Sequence, residues 1–143
     1  MLYLLLPLAA ALIAQCSKFF IKSNNTKFSF KNIVAYSGMP SGHAAMTVSL
    51  TTIIGLEMGI DTAMFGLTFV IMVLTIRDAV GLRRYLGQQG AVINDLVQDL
   101  DEDKLLDDKY PHLRERIGHS SAQIFVGALI GFLVSLIGFY LWS

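Results

Sequence analysis

Two segments of this 143-residue chain carry residues suited to acid–base or nucleophilic chemistry, and both have one layout. Met39-Pro40-Ser41-Gly42-His43 and Gly118-His119-Ser120-Ser121 each set a glycine, a histidine and hydroxyl residues at the start of an apolar run. Ser41 suits a helix N-cap, and Gly42 removes side-chain bulk so that backbone can approach a ligand. The free N–H groups and positive dipole end of a helix start favour an anion. An imidazole titrates near neutrality, so it serves either as nucleophile or as general acid and base. A helix cap with an incidental interfacial histidine is the plainer alternative for either segment alone. Finding the arrangement twice favours a shared anion site.

Cations stand close to both segments. Arg114 and Arg116 precede the second, and Arg77-Asp78-Ala79-Val80-Gly81-Leu82-Arg83-Arg84 is expected to close a membrane helix. A charged pair there is costly unless paired or functional. Arg77, Arg83 and Arg84 either anchor the chain or offer guanidinium donors to phosphate oxygens, which they match well. Gln15 and Lys18, three apart on one helical face, leave Lys18 to snorkel outward or lean into the same anion pocket. The candidate phosphate-binding residues are thus Lys18, Ser41, Gly42, Arg77, Arg83, Arg84, Arg114 and Arg116. Two histidines among cations, without cysteine clusters or HExxH spacing, fit metal-independent phosphoryl transfer better than zinc chemistry. In that chemistry cations stabilise charge on the phosphoryl oxygens while one histidine attacks phosphorus and the other protonates the leaving oxygen. No metal and no cofactor are expected. The acidic run Asp99, Asp101, Glu102, Asp103, Asp107, Asp108 reads as a solvated loop or a divalent-cation site. His112, beside Pro111, reads as a surface histidine.

The elements that must hold these residues are hydrophobic. Of the chain, 54% is hydrophobic and 15% charged, with zero formal net charge, and the mean hydropathy is +0.57. That is too apolar for a soluble domain of this size, and an integral membrane protein follows. Apolar stretches run from about Leu2 to Phe20, Ala44 to Ile60, Ala63 to Ile76 and Ala122 to Trp142. Roughly 20 helical residues cross the hydrocarbon core, so an all-α bundle of four transmembrane helices is expected as a single domain over 1–143. The first stretch lacks the basic start of a signal peptide and reads as a retained helix. Gly59-Ile60-Asp61 reads as the turn of a hairpin. Val92, Ile93, Leu96, Val97 and Leu100 recur at helical spacing and imply an amphipathic helix on the membrane surface or against the bundle. Gly127 and Gly131 form a small-residue packing pair. Cys16, the single cysteine, reads as a small buried hydrophobe.

All 11 Lys and Arg residues fall in two polar segments, about 18–40 and 77–119. Four spans put both segments on one side, which the positive-inside rule makes cytoplasmic, with both termini external. A plasma membrane of bacterial type is the expected location, and no nucleic-acid partner is expected.

Pro40-Ser41-Gly42-His43 resembles the PSGH core of the phosphatidic acid phosphatase type 2 / vanadium haloperoxidase superfamily. Together with Arg77 to Arg84 and Gly118-His119-Ser120, it is similar to the divergent, haloperoxidase-related branch of small membrane proteins. The resemblance implies a phosphohistidine on His119, with His43 as general acid. It also implies phosphate held by Lys18, by Arg77 or Arg83/Arg84, and by Arg114 or Arg116. The chain departs from that pattern in three places. Lys18 is not followed by Arg-Pro, Leu113 stands at an expected arginine, and Gln123 stands where an aspartate orients the nucleophile. Asp78 is the candidate to replace that aspartate. Relatives with this motif set commonly have six helices, which implies a reduced bundle or one completed in a homodimer. The expected function is hydrolysis of a lipid phosphomonoester or pyrophosphate such as phosphatidylglycerophosphate, phosphatidate or a prenyl pyrophosphate. The alternative is a non-catalytic phospholipid- or anion-binding membrane protein or transporter subunit.

Overall fold

A computed structural model describes residues 1–21, 39–100, 112–113 and 118–142. The described chain is helical: α1 (Leu2–Ser17) with a 3-10 turn (Lys18–Phe20), α2 (Gly42–Met58), α3 (Ala63–Arg77), a π turn (Asp78–Leu82), α4 (Arg83–Leu100) and α5 (Ser121–Trp142). No strand occurs among the described residues.

Helix α2 lies at the centre, packed against α1, α3 and α5. Small residues make this approach close. A Cβ on Gly127 would overlap the Ser41 carbonyl, and one on Gly131 would overlap that of Ala45. The next turn pairs Ser49 with Ser135, whose hydroxyls lie 2.6 Å apart, an offset of 86 residues shared by all three pairs. A constant offset means that α2 and α5 run parallel and in step. In a membrane such small-residue contacts let van der Waals packing and interhelical hydrogen bonds hold helices together. Helix α1 runs antiparallel to α5, with Leu6 under Gly138 and Ala10, Ala14, Ala45, Ile130 and Val134 between them. The end of α1 therefore meets the starts of α2 and α5.

Among the described residues three helical stretches are long and apolar enough to cross a membrane: Leu2–Phe20, the 37-residue Ala63–Asp99 and Ser121–Trp142. The fourth expected span, α2, has 17 residues and falls short of them. Its buried Thr47, Ser49 and Thr51 suit its enclosed position, because each hydroxyl finds a carbonyl or a partner hydroxyl. Outward residues such as Leu67, Val70, Leu74, Phe125 and Leu133 are exposed and apolar, as hydrocarbon contact requires.

Two expectations are corrected. The segment Arg77–Arg84 does not end the helical rod: after α3 the chain winds on through the π turn into α4, so the amphipathic helix begins at Arg83, well before Val92. Its apolar side chains Leu86, Val92, Ile93 and Leu96 are exposed. Cys16 is exposed on α1, because the enclosed face of that helix is taken by Leu6, Ala10 and Ala14. The hairpin stands as expected, with Gly59 at φ 91° and Thr62 capping α3 through the Phe65 N–H.

Candidate active site

Four chain segments converge where α1 ends and α2 and α5 begin. Ser41 caps α2, its hydroxyl accepting the Ala44 N–H at 3.4 Å, and its own N–H donates to the Gln123 carbonyl at 2.9 Å. That bond ties the start of α2 to the first turn of α5. Ser41 is fully buried, so it fixes the backbone that presents Gly42 and His43.

His119 is placed by backbone. Its N–H donates to the Ala79 carbonyl of the π turn at 3.1 Å. Gly118, just before it, has φ +102°, a conformation that disfavours side chains, and a Cβ there would stand 3.0 Å from the Arg84 nitrogen. The glycine lets the returning chain cross the head of α4 and deliver His119 into the interior. The imidazole is 5% exposed, and neither ring nitrogen has a hydrogen-bond partner among the described residues.

The π turn also sets the acid–cation pair. Residues five apart point in different directions on an α-helix, but i→i+5 winding stacks them. Asp78 and Arg83 accordingly form an ion pair, Nε to Oδ2, of 2.7 Å.

These groups share one electrostatic neighbourhood. His43 lies within reach of Arg83, Lys18 and Asp78, and His119 within reach of Lys18, His43 and Arg83. Lys18 is itself 5% exposed, leaning inward instead of snorkelling. Burial first, then the Lys18, His43 and Arg83 charges, push the His119 imidazole down to about 4. It is therefore neutral near pH 7, with a lone pair available for attack.

The structure thus brings together His43, His119, Lys18, Arg83 and Asp78 around the start of α2. It does not bring in Arg77 or Arg84, whose side chains are exposed and are not among the charges acting on either histidine. Asp78 stands with His43 and Arg83, not among the groups acting on His119. Arg114, Arg116 and residues 101–108 of the acidic run lie outside the described residues. Among the described residues no cluster of three or more His, Cys, Asp or Glu is disposed to hold a metal ion.

Sequence reasoning missed two polar roles. Gln123 is occupied at the helix start: its Oε1 accepts the Ser120 N–H at 2.9 Å and its N–H donates to Ser120 Oγ at 3.3 Å, a capping box. Asn94 pins the returning chain to α4, bonding the Leu113 N–H and carbonyl, each at 2.9 Å. The Ser-x-x-Gln spacing signals the first; no short spacing signals the second. His112 is exposed beside Asn94, as a surface histidine.

Comparison with known proteins agrees with this architecture. The chain is similar to "Uncharacterized membrane protein YuiD" of Bacillus subtilis (strain 168), with 36% identity over 146 residues, covering 94% of this chain and 91% of that protein. No solved structure matches. Residues 2–134 match the family described as the Divergent PAP2 family. With the match running from the start of α1 into the second half of α5, and with the paired histidine segments inside it, the chain belongs to the Divergent PAP2 family.

Proposed function

We propose that this membrane protein is a lipid phosphatase that hydrolyses a phosphomonoester or pyrophosphate through a phosphohistidine. The observation that carries the reading is His119: a buried imidazole whose two nitrogens have no partner among the described residues, kept neutral among Lys18, His43 and Arg83. Its lone pair attacks phosphorus, forming the N–P bond as the bond to the leaving oxygen breaks. His43, when it carries a proton, gives it to that oxygen. Lys18 and Arg83 hold the phosphoryl oxygens as charge develops, and Asp78 fixes the Arg83 guanidinium. Water, deprotonated by His43, then cleaves the N–P bond and releases phosphate. With the basic segments cytoplasmic, the pocket faces inner-leaflet lipids such as phosphatidylglycerophosphate, phosphatidate or a prenyl pyrophosphate.

Purified protein given these lipids in detergent is expected to release phosphate, and His43→Ala and His119→Ala to abolish release. Equal release by wild type and both variants would sink the proposal. Gln123 favours a second reading, a non-catalytic phospholipid- or anion-binding protein, because it is committed to capping and no carboxylate among the described residues bonds His119. That reading expects vanadate or tungstate to bind tightly without turnover of any lipid.

A further inference from the structure

Gln15 stands beside the candidate site, and the mechanism above does not use it. It lies one turn before Lys18 on α1, with its carboxamide against Gly42: a Cβ on that glycine would be 3.6 Å from Gln15 Cδ. Its Oε1 is buried and has no hydrogen-bond partner among the described residues. An acceptor buried without a donor costs about 1–3 kcal/mol. Lys18 and Arg83, which act on both histidines, are cations suited to the bare oxygens of an anion. The Asp78 carboxylate is held by Arg83 and the His119 lone pair is spent on phosphorus in the mechanism above, so the Gln15 acceptor is left for a ligand that brings a hydrogen of its own.

Oxyanions differ in this respect. Sulfate near neutral pH presents lone pairs on every oxygen, so any oxygen set against Gln15 Oε1 meets repulsion. A phosphate monoester, with its second pKa near 6, keeps a P–O–H in a large fraction of molecules. We propose that Gln15 is a ligand-selecting residue: its Oε1 accepts the P–O–H of a singly protonated phosphoryl group, while Lys18 and Arg83 hold the unprotonated oxygens. The site then takes phosphate and phosphomonoesters and rejects tetrahedral oxyanions without a proton. A site built to bond a ligand hydroxyl rejects the analogue lacking it far more strongly than an apolar pocket rejects a missing methylene. The inference rests on the phosphate-pocket reading above but does not need turnover.

The test is calorimetric binding of inorganic phosphate and of sulfate to the full-length protein in detergent at pH 6. Wild type is expected to bind phosphate at least about tenfold more tightly than sulfate, the size of one satisfied hydrogen bond against an unpaired acceptor. Gln15→Met, of similar length without an acceptor, is expected to keep phosphate binding and narrow the preference to within about threefold. Gln15→Glu keeps an acceptor, so it is expected to hold the preference while weakening both anions, and it serves if the methionine variant does not fold. An unchanged ratio in Gln15→Met overturns the proposal. So does equal weakening of both anions, the result for a carboxamide that turns its NH2 to the ligand. Wild type that binds neither anion overturns the pocket reading as well, an outcome distinct from a ratio that fails to move.

Discussion

Gln123 and Ser120 close on each other at the start of α5, the Gln123 Oε1 accepting the Ser120 N–H while the Gln123 N–H donates to Ser120 Oγ. The side chain standing where the superfamily sets an aspartate is thereby spent on satisfying helix-end groups. Gln123→Ala is expected to cost about 0.5–2 kcal/mol of stability, read as a lowered unfolding temperature in detergent. Phosphate release per folded molecule should stay within about threefold, under 1 kcal/mol of barrier. A loss beyond about a hundredfold would mean that Gln123 serves the imidazole directly.

The parallel pairing of α2 and α5 sets the starts of the two helices, and with them His43 and His119, side by side. A methyl on Gly131 meets the Ala45 carbonyl and its neighbouring backbone, which cannot rotate aside as a side chain would. Gly131→Ala is expected to force the helices apart at a cost of about 1–3 kcal/mol. Phosphate handling should fall with it. Gly66→Ala, where nothing lies within 4 Å, is the control and should be neutral or slightly stabilising, by up to about 1 kcal/mol. Equal behaviour of the two would break the link between this contact and the site.

The Asp78–Arg83 pair, with side chains 35% and 38% exposed in the order Arg83, Asp78, contributes little to folding, about 0–1 kcal/mol for such exposed pairs. Its worth lies in aiming Arg83 and in the carboxylate that acts on His43. Asp78→Asn is expected to leave the unfolding temperature nearly unchanged and to lower the rate of phosphate release about 10- to 100-fold, less than the loss of a general acid or base itself because Asp78 acts through Arg83 and His43. Arg83→Lys should not restore the rate, since an ammonium lacks the planar fork. Wild-type rates in both variants would remove the pair from the mechanism.

Much of this was legible in the chain and the remainder has physical reasons for being hidden. The parallel start of two helices with His43 and His119 on one side followed from the segregation of all 11 Lys and Arg residues, because topology is written in composition. The Gly127 and Gly131 contact followed from spacing. The choice of Arg83 over Arg77 and Arg84 did not, because it depends on a π turn that shifts the helical phase by one residue, and no local propensity announces one. The inward lean of Lys18 was equally closed to sequence, since burial of a long cation is decided by neighbours from α2 and α5. Gln123 is legible as a Ser-x-x-Gln cap, and the same position departs from the superfamily's aspartate.

The pH dependence tests the neutral nucleophile. In the free protein His119 is held at about 4 by burial and by the Lys18, His43 and Arg83 charges, against an ordinary value near 6.5. The shift is downward, so the lone pair is present above about pH 4 and is lost only as pH falls through that value. Because kcat/KM reports the free enzyme, its acid-side fall is expected near pH 4, well below the ordinary histidine range. Lys18→Met removes the largest of the three charge effects and should move that fall upward in pH, while also weakening phosphate binding. A wild-type acid limb near 6.5, or one unmoved by Lys18→Met, would show that the group titrating is not His119 in this environment.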